Sequence, residues 1–285
     1  MSNSVKQTKI DQTAEGWGNC NRVRATFSKN VYTAQYANDC MDLTMGTRDI
    51  RDPNIKILDV AAGTGALSFV ALDRIQNSNN SFILATDFSE KMIAYMNNVI
   101  KQEKYKNIEA KVMDGQCMSE IQDNLFNYVY SVFGAIYFPD RAKGFREFYR
   151  VLKANGKMAV TAWRVDTSFV KIFTYAFKQL VGDESLIPLK NTVLSLSDKH
   201  VFKSELEQAG FRDVEIHSVT HYMSFPTVQA FLAHWQQNPV YEDIIAFLTP
   251  ARKQEFDNHI LAYLAANYPD TTKIPCPCYI GVGTK

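Results

Sequence analysis

From residue 55 to residue 163 the chain alternates between two patterns. Short apolar runs rich in β-branched residues are each followed by a stretch with apolar positions at helical spacing. The apolar runs 55–60, 81–86, 108–113, 126–132 and 157–163 predict strands. The stretches 66–75, 89–99 and 139–152 predict helices, with Ser89 as an N-cap and Pro139 in a first turn, and a short helical stretch is expected to end at Ile121. Near-continuous apolar strands suit a sheet buried on both faces, and the strand–helix interval makes that sheet parallel. Beyond Trp163 the rhythm changes. Residues 167–181 read as an aromatic helix, 198–209 as a helix closed by Gly210, and 211–222 as a long strand. Residues 226–268 read as helical and 278–284 as a last short strand. Before the sheet, 1–12 are polar, 17–45 have helical spacing, and 46–54 form a polar connector punctuated by Pro53. The expected organisation is an N-terminal helical lid over 1–54 and an α/β domain over 55–285, with helical cap insertions at about 165–198 and 226–270.

Composition narrows the function without supplying it. Of 285 residues, 46% are hydrophobic and 21% charged, an ordinary globular balance. Lys plus Arg is 31 against 30 for Asp plus Glu, so attachment to nucleic acid mainly by phosphate neutralisation is disfavoured. No apolar run approaches the roughly 18 residues of a membrane helix. The opening MSNSVKQTKIDQ lacks the apolar core of a signal peptide, so a cytoplasmic protein is expected. Five scattered cysteines (Cys20, Cys40, Cys117, Cys276, Cys278) are no disulfide framework, and Cys276-x-Cys278 is too short and isolated for zinc, so no metal site is expected.

The chemistry gathers at strand ends. In Ile57-Leu58-Asp59-Val60-Ala61-Ala62-Gly63-Thr64-Gly65 a buried strand runs into a turn of small residues and then a helix. Gly63 and Gly65 let backbone approach a ligand, and the helix start offers free N–H groups. Asp87, 22 residues after Gly65, ends the second strand, where a carboxylate accepts from ribose hydroxyls. A dehydrogenase would share these marks. Three features point elsewhere. Ser68 stands where a dinucleotide fingerprint wants a third glycine. Asp59, read as part of the turn, would repel a pyrophosphate but suits an ammonium group. Asp114 ends the third strand and can accept from an adenine amino group. Three carboxylates at successive strand ends fit a ligand with an amino-acid tail, a ribose and an adenine, and S-adenosylmethionine has all three.

The chain resembles the class I S-adenosylmethionine-dependent methyltransferases, and within them the small-molecule branch that includes the quinone-biosynthesis methyltransferases. The resemblance rests on the segment just quoted, on Thr86-Asp87-Phe88-Ser89, Met113-Asp114-Gly115-Gln116, Ser131-Val132-Phe133-Gly134, Phe138-Pro139-Asp140, and on residues 145–163 with Arg150-Val151-Leu152-Lys153-Ala154-Asn155-Gly156. It implies a Rossmann-like, doubly wound, seven-stranded sheet whose last strand is antiparallel. It implies that Asp59, Ala61, Gly63 and Gly65 meet the methionine part of the donor and Asp87 the ribose. Phe88 and Met92 would line the adenine, and Asp114, Gly115 and Gln116 would hold its edge. Ser131 and Phe133 would face the sulfonium, and Tyr32 and Thr33 would close over the cofactor from an N-terminal helix. Two departures bear on the acceptor. No Asn-Pro-Pro-Tyr-type motif follows the fourth strand, which disfavours nucleic-acid amines, and the Asn-Leu-Thr-Gly-Gly segment of the quinone C-methylating branch is missing, which disfavours quinones.

Methyl transfer from a sulfonium is an in-line displacement, so the protein must chiefly align the partners and exclude water. A base is needed only where the acceptor loses a proton. Tyr137, after the fourth strand, and His221, on the long late strand, are the catalytic candidates; in the family the Tyr137 loop borders the methyl. Asp213, Glu215, His217 and His221 should share one strand face. Phe173, His234 and Trp235, from the aromatic stretches of the cap, are candidates for holding an apolar or amine acceptor, with a packed core as the plainer reading. The expected partner is a small molecule; no membrane or nucleic acid is expected, and the cap leaves room for a homodimer. RNA or protein methylation, and donor binding without catalysis, are the alternatives.

Overall fold

The computed structural model describes residues 9–18, 31–46, 54–75, 80–183, 187, 189 and 192–285. Cys20 and the linker residues 47–53 lie outside the described residues, as does most of the 17–30 stretch expected to be helical. Seven strands form one sheet: β1 (Lys56–Val60), β2 (Phe82–Asp87), β3 (Ile108–Val112), β4 (Phe126–Ser131), β5 (Leu152–Trp163), β6 (Arg212–Met223) and β7 (Ile274–Thr284). Their order is β3-β2-β1-β4-β5-β7-β6. Strands β1 to β5 pair in parallel, and β7 runs antiparallel to both β5 and β6. The chain winds outward from β1 to β3, then returns to β4 on the other side of β1. That reversal makes the β1/β4 crevice the place where an open α/β sheet binds ligands.

The described helices are α1 (Ala14–Trp17), α2 (Val31–Met45), α3 (Ala66–Ile75), α4 (Glu90–Glu103), α5 (Arg141–Val151), α6 (Ser168–Val181), α7 (Lys199–Gln208), α8 (Val228–Trp235), α9 (Pro239–Ile245) and α10 (Pro250–Asn267). Short 3-10 turns cover Ile10–Gln12 and Ala135–Tyr137. Helix α2 buries Tyr36, Ala37, Cys40, Met41 and Thr44, a single stripe at helical spacing, against α3, β5, β6 and β7. Fully buried Phe126, Phe145, Phe148 and Tyr130 anchor the core.

Strand β5 starts at Leu152, five residues ahead of the strand expected there, and three further elements change in the structure. The stretch 226–268 is three helices, because Thr227, Asn238 and Thr249 each cap a new start through their side chains, with Pro239 and Pro250 in the first turns of the last two. Residues 114–121 form turns and no helix. The Asp114 side chain takes the Gln116 N–H at 2.9 Å, Glu147 takes the Met118 N–H at 2.7 Å, and Arg150 donates to the Met118 and Ile121 carbonyls at 2.8 and 2.7 Å. Those side chains satisfy the groups a helix would have used. The last strand begins at Ile274, four residues earlier than its apolar pattern shows, in spite of two prolines. Strand β5 pairs with β7 only as far as Trp163 opposite Cys278. Pro275 and Pro277 lie beyond that point, and their carbonyls accept from Ser168 Oγ and Thr167 Oγ1, both at 2.5 Å. A proline lacking its N–H costs nothing where no strand asks for one.

Candidate functional site

Strand β1 ends in the crevice. Asp59 is its penultimate residue, part of the strand and not of the turn expected for it. The turn that follows needs left-handed backbone at Ala61 (φ 54°), Gly63 (φ 57°) and Gly65 (φ 91°), and is tied to β2 by the Ala62 N–H donating to the Thr86 carbonyl at 2.9 Å. The two glycines answer different needs. A Cβ on Gly65 would strike Met96 Cε at 2.7 Å and the Phe69 ring at 2.9 Å, so Gly65 serves packing against α3 and α4. A Cβ on Gly63 would meet nothing within 4 Å, so Gly63 leaves bare backbone facing open space.

Two buried carboxylates flank that backbone. Asp59, 1% exposed, accepts from Ser68 N at 3.1 Å and Ser68 Oγ at 2.7 Å, at the start of α3. Asp87 accepts from Gly63 N at 2.8 Å through one oxygen and from Ser89 N at 2.9 Å through the other. The ends of β1 and β2 are thus joined through a carboxylate. Burial pushes Asp59 up to about 7 and Asp87 up to about 6; the hydrogen bonds from Ser68, and from Ser89 and Gly63, oppose it in part. No basic side chain contributes to either shift. Ser89 stands at the N-cap of α4 as expected, but its side chain makes no cap bond. Ser89 Oγ and Thr64 Oγ1 are instead buried without hydrogen-bond partners.

The third carboxylate differs. Asp114 is exposed, and its Oδ1 accepts from the Gln116 N–H at 2.9 Å and from Gln116 Nε2 at 3.1 Å. Gln116 Oε1 accepts in turn from Asp140 N at 2.7 Å, which ties this turn to the start of α5. Gly115 is buried between them. Met92 is buried in α4, and Phe88 is half-buried just ahead of it.

Across the crevice the walls are aromatic. Ser131 Oγ accepts from Ala135 N at 3.0 Å and shapes the turn after β4. Phe133 takes the left-handed conformation (φ 56°), unusual for a bulky residue, with its N–H donating to Thr161 Oγ1 at 2.7 Å. Its ring stacks on Trp163 at 3.7 Å, Tyr36 meets Phe133 edge-on at 5.0 Å, and Tyr32 lies parallel to Trp163 at 6.1 Å. The Tyr36 hydroxyl donates to the Cys276 carbonyl at 2.5 Å. Thr33 is half-buried on the same helix.

The remaining candidates separate. Tyr137 lies on the 3-10 turn beside this wall, edge to the Trp17 ring at 5.0 Å, with its hydroxyl pushed up by burial. Strand β6 runs parallel to β1–β5, so His221 sits toward the ligand-binding edge, half-buried, with Nε2 2.5 Å from Asp39 Oδ2 and its ring against Tyr36 at 4.8 Å. A bulge at Asp213 (φ 52°) shifts the β6 register before Glu215, so Asp213 does not share the alternation of Glu215, His217 and His221; His217 pairs with Glu215 at 3.2 Å. Phe173 is fully buried in the cap, and Trp235 stands between Phe169 at 4.6 Å and Phe173 at 5.0 Å. His234 packs on Phe225 at 5.5 Å, and burial lowers its basicity. These three belong to the cap interior. Among the described residues no cluster of three metal-ligating side chains occurs, and no helix is long and apolar enough to cross a membrane.

Sequence reading missed Tyr36, Asp39, Asp11 and Trp17. Asp39 pairs with a histidine 182 positions away, and nothing local to either residue signals it. Trp17 and Asp11 had one available signal, an apolar ring within an otherwise polar leader.

A sequence model of the ubiE/COQ5 methyltransferase family matches residues 19–225. The Aspergillus fumigatus methyltransferase tpcH is 30% identical over 181 residues, covering 61% of this chain and 63% of that protein. The mitochondrial 2-methoxy-6-polyprenyl-1,4-benzoquinol methylase of Leishmania donovani is 25% identical over 232 residues, covering 74% of this chain and 77% of that protein. The chain thus spans a little under two thirds of the fungal relative. In fold it is similar to phosphoethanolamine N-methyltransferase 2 of Haemonchus contortus, solved with S-adenosyl-L-methionine, at a TM-score of 0.57 and 17% identity, covering all of this chain and 61% of that one. It is similar also to the [4+2]-cyclase SpnF, at 0.53 and 15%, covering 88% and 80%. The second likeness shows that this fold alone does not fix the reaction.

Proposed function

The chain belongs to the ubiE/COQ5 methyltransferase family, whose methyl donor is S-adenosylmethionine, and from that premise we propose that it methylates a small, partly apolar acceptor held at the aromatic end of the β1/β4 crevice. The observation that carries this reading is the pair of buried carboxylates, Asp59 and Asp87, beside the bare backbone of Gly63. Each is raised by burial with no cation to offset it. A ligand with an ammonium group and a vicinal diol meets that need, and the buried, unpaired hydroxyls of Ser89 and Thr64 offer it further hydrogen bonds.

In this reading Asp59, Ala61, Gly63 and Gly65 hold the amino-acid end of the donor. Asp87 takes the ribose hydroxyls with lone pairs that Gly63 and Ser89 leave over. Phe88 and Met92 line the adenine, and Asp114, Gly115 and Gln116 border its edge. The donor supplies an electrophilic methyl on a positively charged sulfur. Phe133 and Ser131 shape the space beside it, and the stacked Phe133–Trp163–Tyr32 wall excludes water and flattens an acceptor against itself. Tyr137 borders the acceptor. His221 reaches this wall through the Tyr36 ring, which touches both His221 and Phe133, so it acts by positioning. Tyr32 and Thr33 close the site from α2. The lid extends to the first described residues: Trp17 covers Tyr137, and a Cβ on Gly18 would stand 3.1 Å from Ser89 Oγ. This supports a 1–54 lid over a 55–285 catalytic domain. The cap residues Phe173, His234 and Trp235 back the pocket from behind. The relative named for a benzoquinol supports an aromatic acceptor, in spite of the missing Asn-Leu-Thr-Gly-Gly segment. The balanced charge supports a small molecule over a nucleic acid.

Calorimetric titration with S-adenosylmethionine, with NAD in parallel, tests the donor site; mass spectrometry of an acceptor panel incubated with the donor tests transfer. Micromolar donor binding and a product heavier by one methylene unit are expected. NAD binding in its place would overturn the reading, and donor binding without any methylated product would make the protein a binder only.

A further inference from the structure

At the acceptor end lies a group of side chains that neither the donor nor the packing of the fold accounts for. Asp11 is 1% exposed, in the turn that opens the described chain. Its backbone is well provided for. Asp243 Oδ2 accepts the Asp11 N–H at 2.9 Å, Asp243 Oδ1 accepts that of Ile10 at 3.0 Å, and Trp17 Nε1 donates to the Asp11 carbonyl at 2.7 Å. Its carboxyl is not: Asp11 Oδ1 is buried with no hydrogen-bond partner. The Thr192 hydroxyl stands within hydrogen-bonding reach of the Asp11 carboxyl and favours its ionised form, and the Asp243 carboxyl stands close enough to share a proton with it, yet Thr192 Oγ1, also 1% exposed, closes no hydrogen bond of normal geometry. Buried polar groups in folded proteins are nearly always paired, so two neighbours left open point to a ligand that pairs with both.

Position says which ligand. Tyr137 feels the charge of both Asp11 and Asp243, and its ring meets Trp17, so the group borders the same turn as the methyl-facing wall. Ser195 Oγ donates to the Ile136 carbonyl at 3.0 Å and fixes the 192–195 turn against it. Asp243 accepts a backbone N–H at each oxygen and also bonds the Asp11 carboxyl, so Asp11 Oδ1 and the Thr192 hydroxyl are the groups left with a hydrogen bond to complete. A hydroxyl, with one proton to give and lone pairs to receive, satisfies that pair; an ammonium, with three protons, leaves donors unmet.

Resting on the methyltransferase reading, we propose that Asp11 and Thr192 receive a hydroxyl of the acceptor beside Tyr137, and that Asp11 takes its proton during transfer. The O–H bond breaks and its proton goes to Asp11 Oδ1. The electron pair freed on oxygen, or on a ring carbon conjugated with it, forms the bond to the methyl carbon. The carbon–sulfur bond breaks with its pair going to sulfur, which leaves a neutral thioether, and Asp11 returns its proton to solvent as product departs. Burial, then the neighbouring Asp243, raises Asp11 and makes it a stronger base than an exposed carboxylate; Thr192 and Lys9 pull the other way, and Tyr137 is a further titratable neighbour among the described residues.

The test uses the full chain loaded with S-adenosylhomocysteine and matched probes: 2-naphthol against 2-methoxynaphthalene, and 1,4-dihydroxynaphthalene against 1,4-dimethoxynaphthalene. Wild type should prefer the hydroxyl form about tenfold or more. Asp11→Asn and Thr192→Val should cut that preference to within about threefold while leaving S-adenosylhomocysteine affinity within about threefold of wild type. Asp11→Glu, which keeps a carboxylate, should retain the preference that Asp11→Asn loses. Equal affinity for hydroxyl and ether, a preference that survives Asp11→Asn, or tighter binding of 2-naphthylamine than of 2-naphthol would overturn the proposal. So would loss of S-adenosylhomocysteine affinity and thermal stability together in Asp11→Asn, which would mark Asp11 as structural. Failure of wild type to bind S-adenosylhomocysteine would instead sink the underlying methyltransferase reading, and this inference with it.

Discussion

The two ends of the β1/β4 crevice are built from different materials. The end proposed for the donor is backbone and short acids: left-handed Ala61, Gly63 and Gly65, with Asp59 and Asp87 held by N–H groups of the same loops. The hydrogen bonds that hold Asp59, Asp87 and the turn join residues fewer than 30 positions apart. The end proposed for the acceptor is rings and long-range pairs: Phe133 on Trp163, Tyr36 on Phe133, His221 on Asp39, Asp11 beside Asp243. Segments from the whole length of the chain converge there. A ligand shared by many enzymes can be held by one local motif. An acceptor that varies between enzymes is held by packing, which changes by substitution without disturbing the motif.

This contrast predicts that stability and donor affinity respond to different residues. Phe133 is the sharpest case on the acceptor side, buried, stacked and in strained backbone. Phe133→Ala should destabilise the protein by about 3–5 kcal/mol through the cavity it leaves. The left-handed backbone is strained for phenylalanine and alanine alike and so cancels in the difference. Denaturant unfolding measures the loss, and calorimetry should find donor affinity changed by less than about fivefold. A collapse of donor binding with stability intact would merge the two ends into one site.

The same division explains what could be read from the sequence. Helix α3 starts and ends where its apolar spacing places it, and β1 and β2 fall within a residue of theirs, because buried strands and amphipathic helices carry their periodicity locally. The Gly-rich turn and Asp87 were legible for the same reason. The 114–121 stretch was not, because Glu147 and Arg150, distant in sequence, take its backbone groups. Nor was the start of β7, since its prolines are tolerable only because β5 has already ended beside them. His221 could be placed on the right strand edge by counting, but its partner Asp39 lies on a helix that spacing alone does not dock.

On the donor side, Asp87→Ala should weaken S-adenosylmethionine binding by about 1.5–3 kcal/mol, roughly 10- to 100-fold, since a charged acceptor to the ligand is lost. It also frees the Gly63 and Ser89 N–H groups, so Asp87→Asn is the needed companion. Asparagine keeps one acceptor and should recover part of the affinity. Equal loss in both variants would assign the effect to charge, and no loss in either would remove Asp87 from the site.

The carboxylates also predict opposite pH trends for stability and binding. Asp59 and Asp87 have folded values of about 7 and 6, above their ordinary 3.8. The folded protein therefore holds protons that the unfolded chain has released, and these groups favour folding least once pH rises through 6 to 7. Without donor, thermal stability should fall from pH 5 to pH 8 on their account. A cationic donor stabilises the ionised forms, so its affinity should rise over the same interval, by about tenfold for each unit that binding lowers Asp59. Scanning calorimetry and titration across that range read both slopes, and Asp59→Asn should flatten each. Parallel slopes would mean that the donor ammonium does not meet Asp59.

The smallest effect asked for is the most discriminating between positioning and chemistry. His221 and Asp39 are each about a quarter exposed and 2.5 Å apart, and their pair ties α2 to β6 behind Tyr36. A partly exposed histidine–carboxylate pair couples weakly, so a double-mutant cycle on unfolding with His221→Gln and Asp39→Asn should give about 0.5–1 kcal/mol. If His221 only positions Tyr36, either single variant should slow transfer by less than about tenfold, and Tyr36→Phe, which loses the hydrogen bond to the Cys276 carbonyl, should do the same. If His221 meets the acceptor itself, His221→Gln alone should lower kcat far more than Asp39→Asn or Tyr36→Phe while leaving stability and donor affinity near wild type. The ranking of the three variants, more than the size of any one, decides whether the acceptor end has one proton-accepting group, at Asp11, or two.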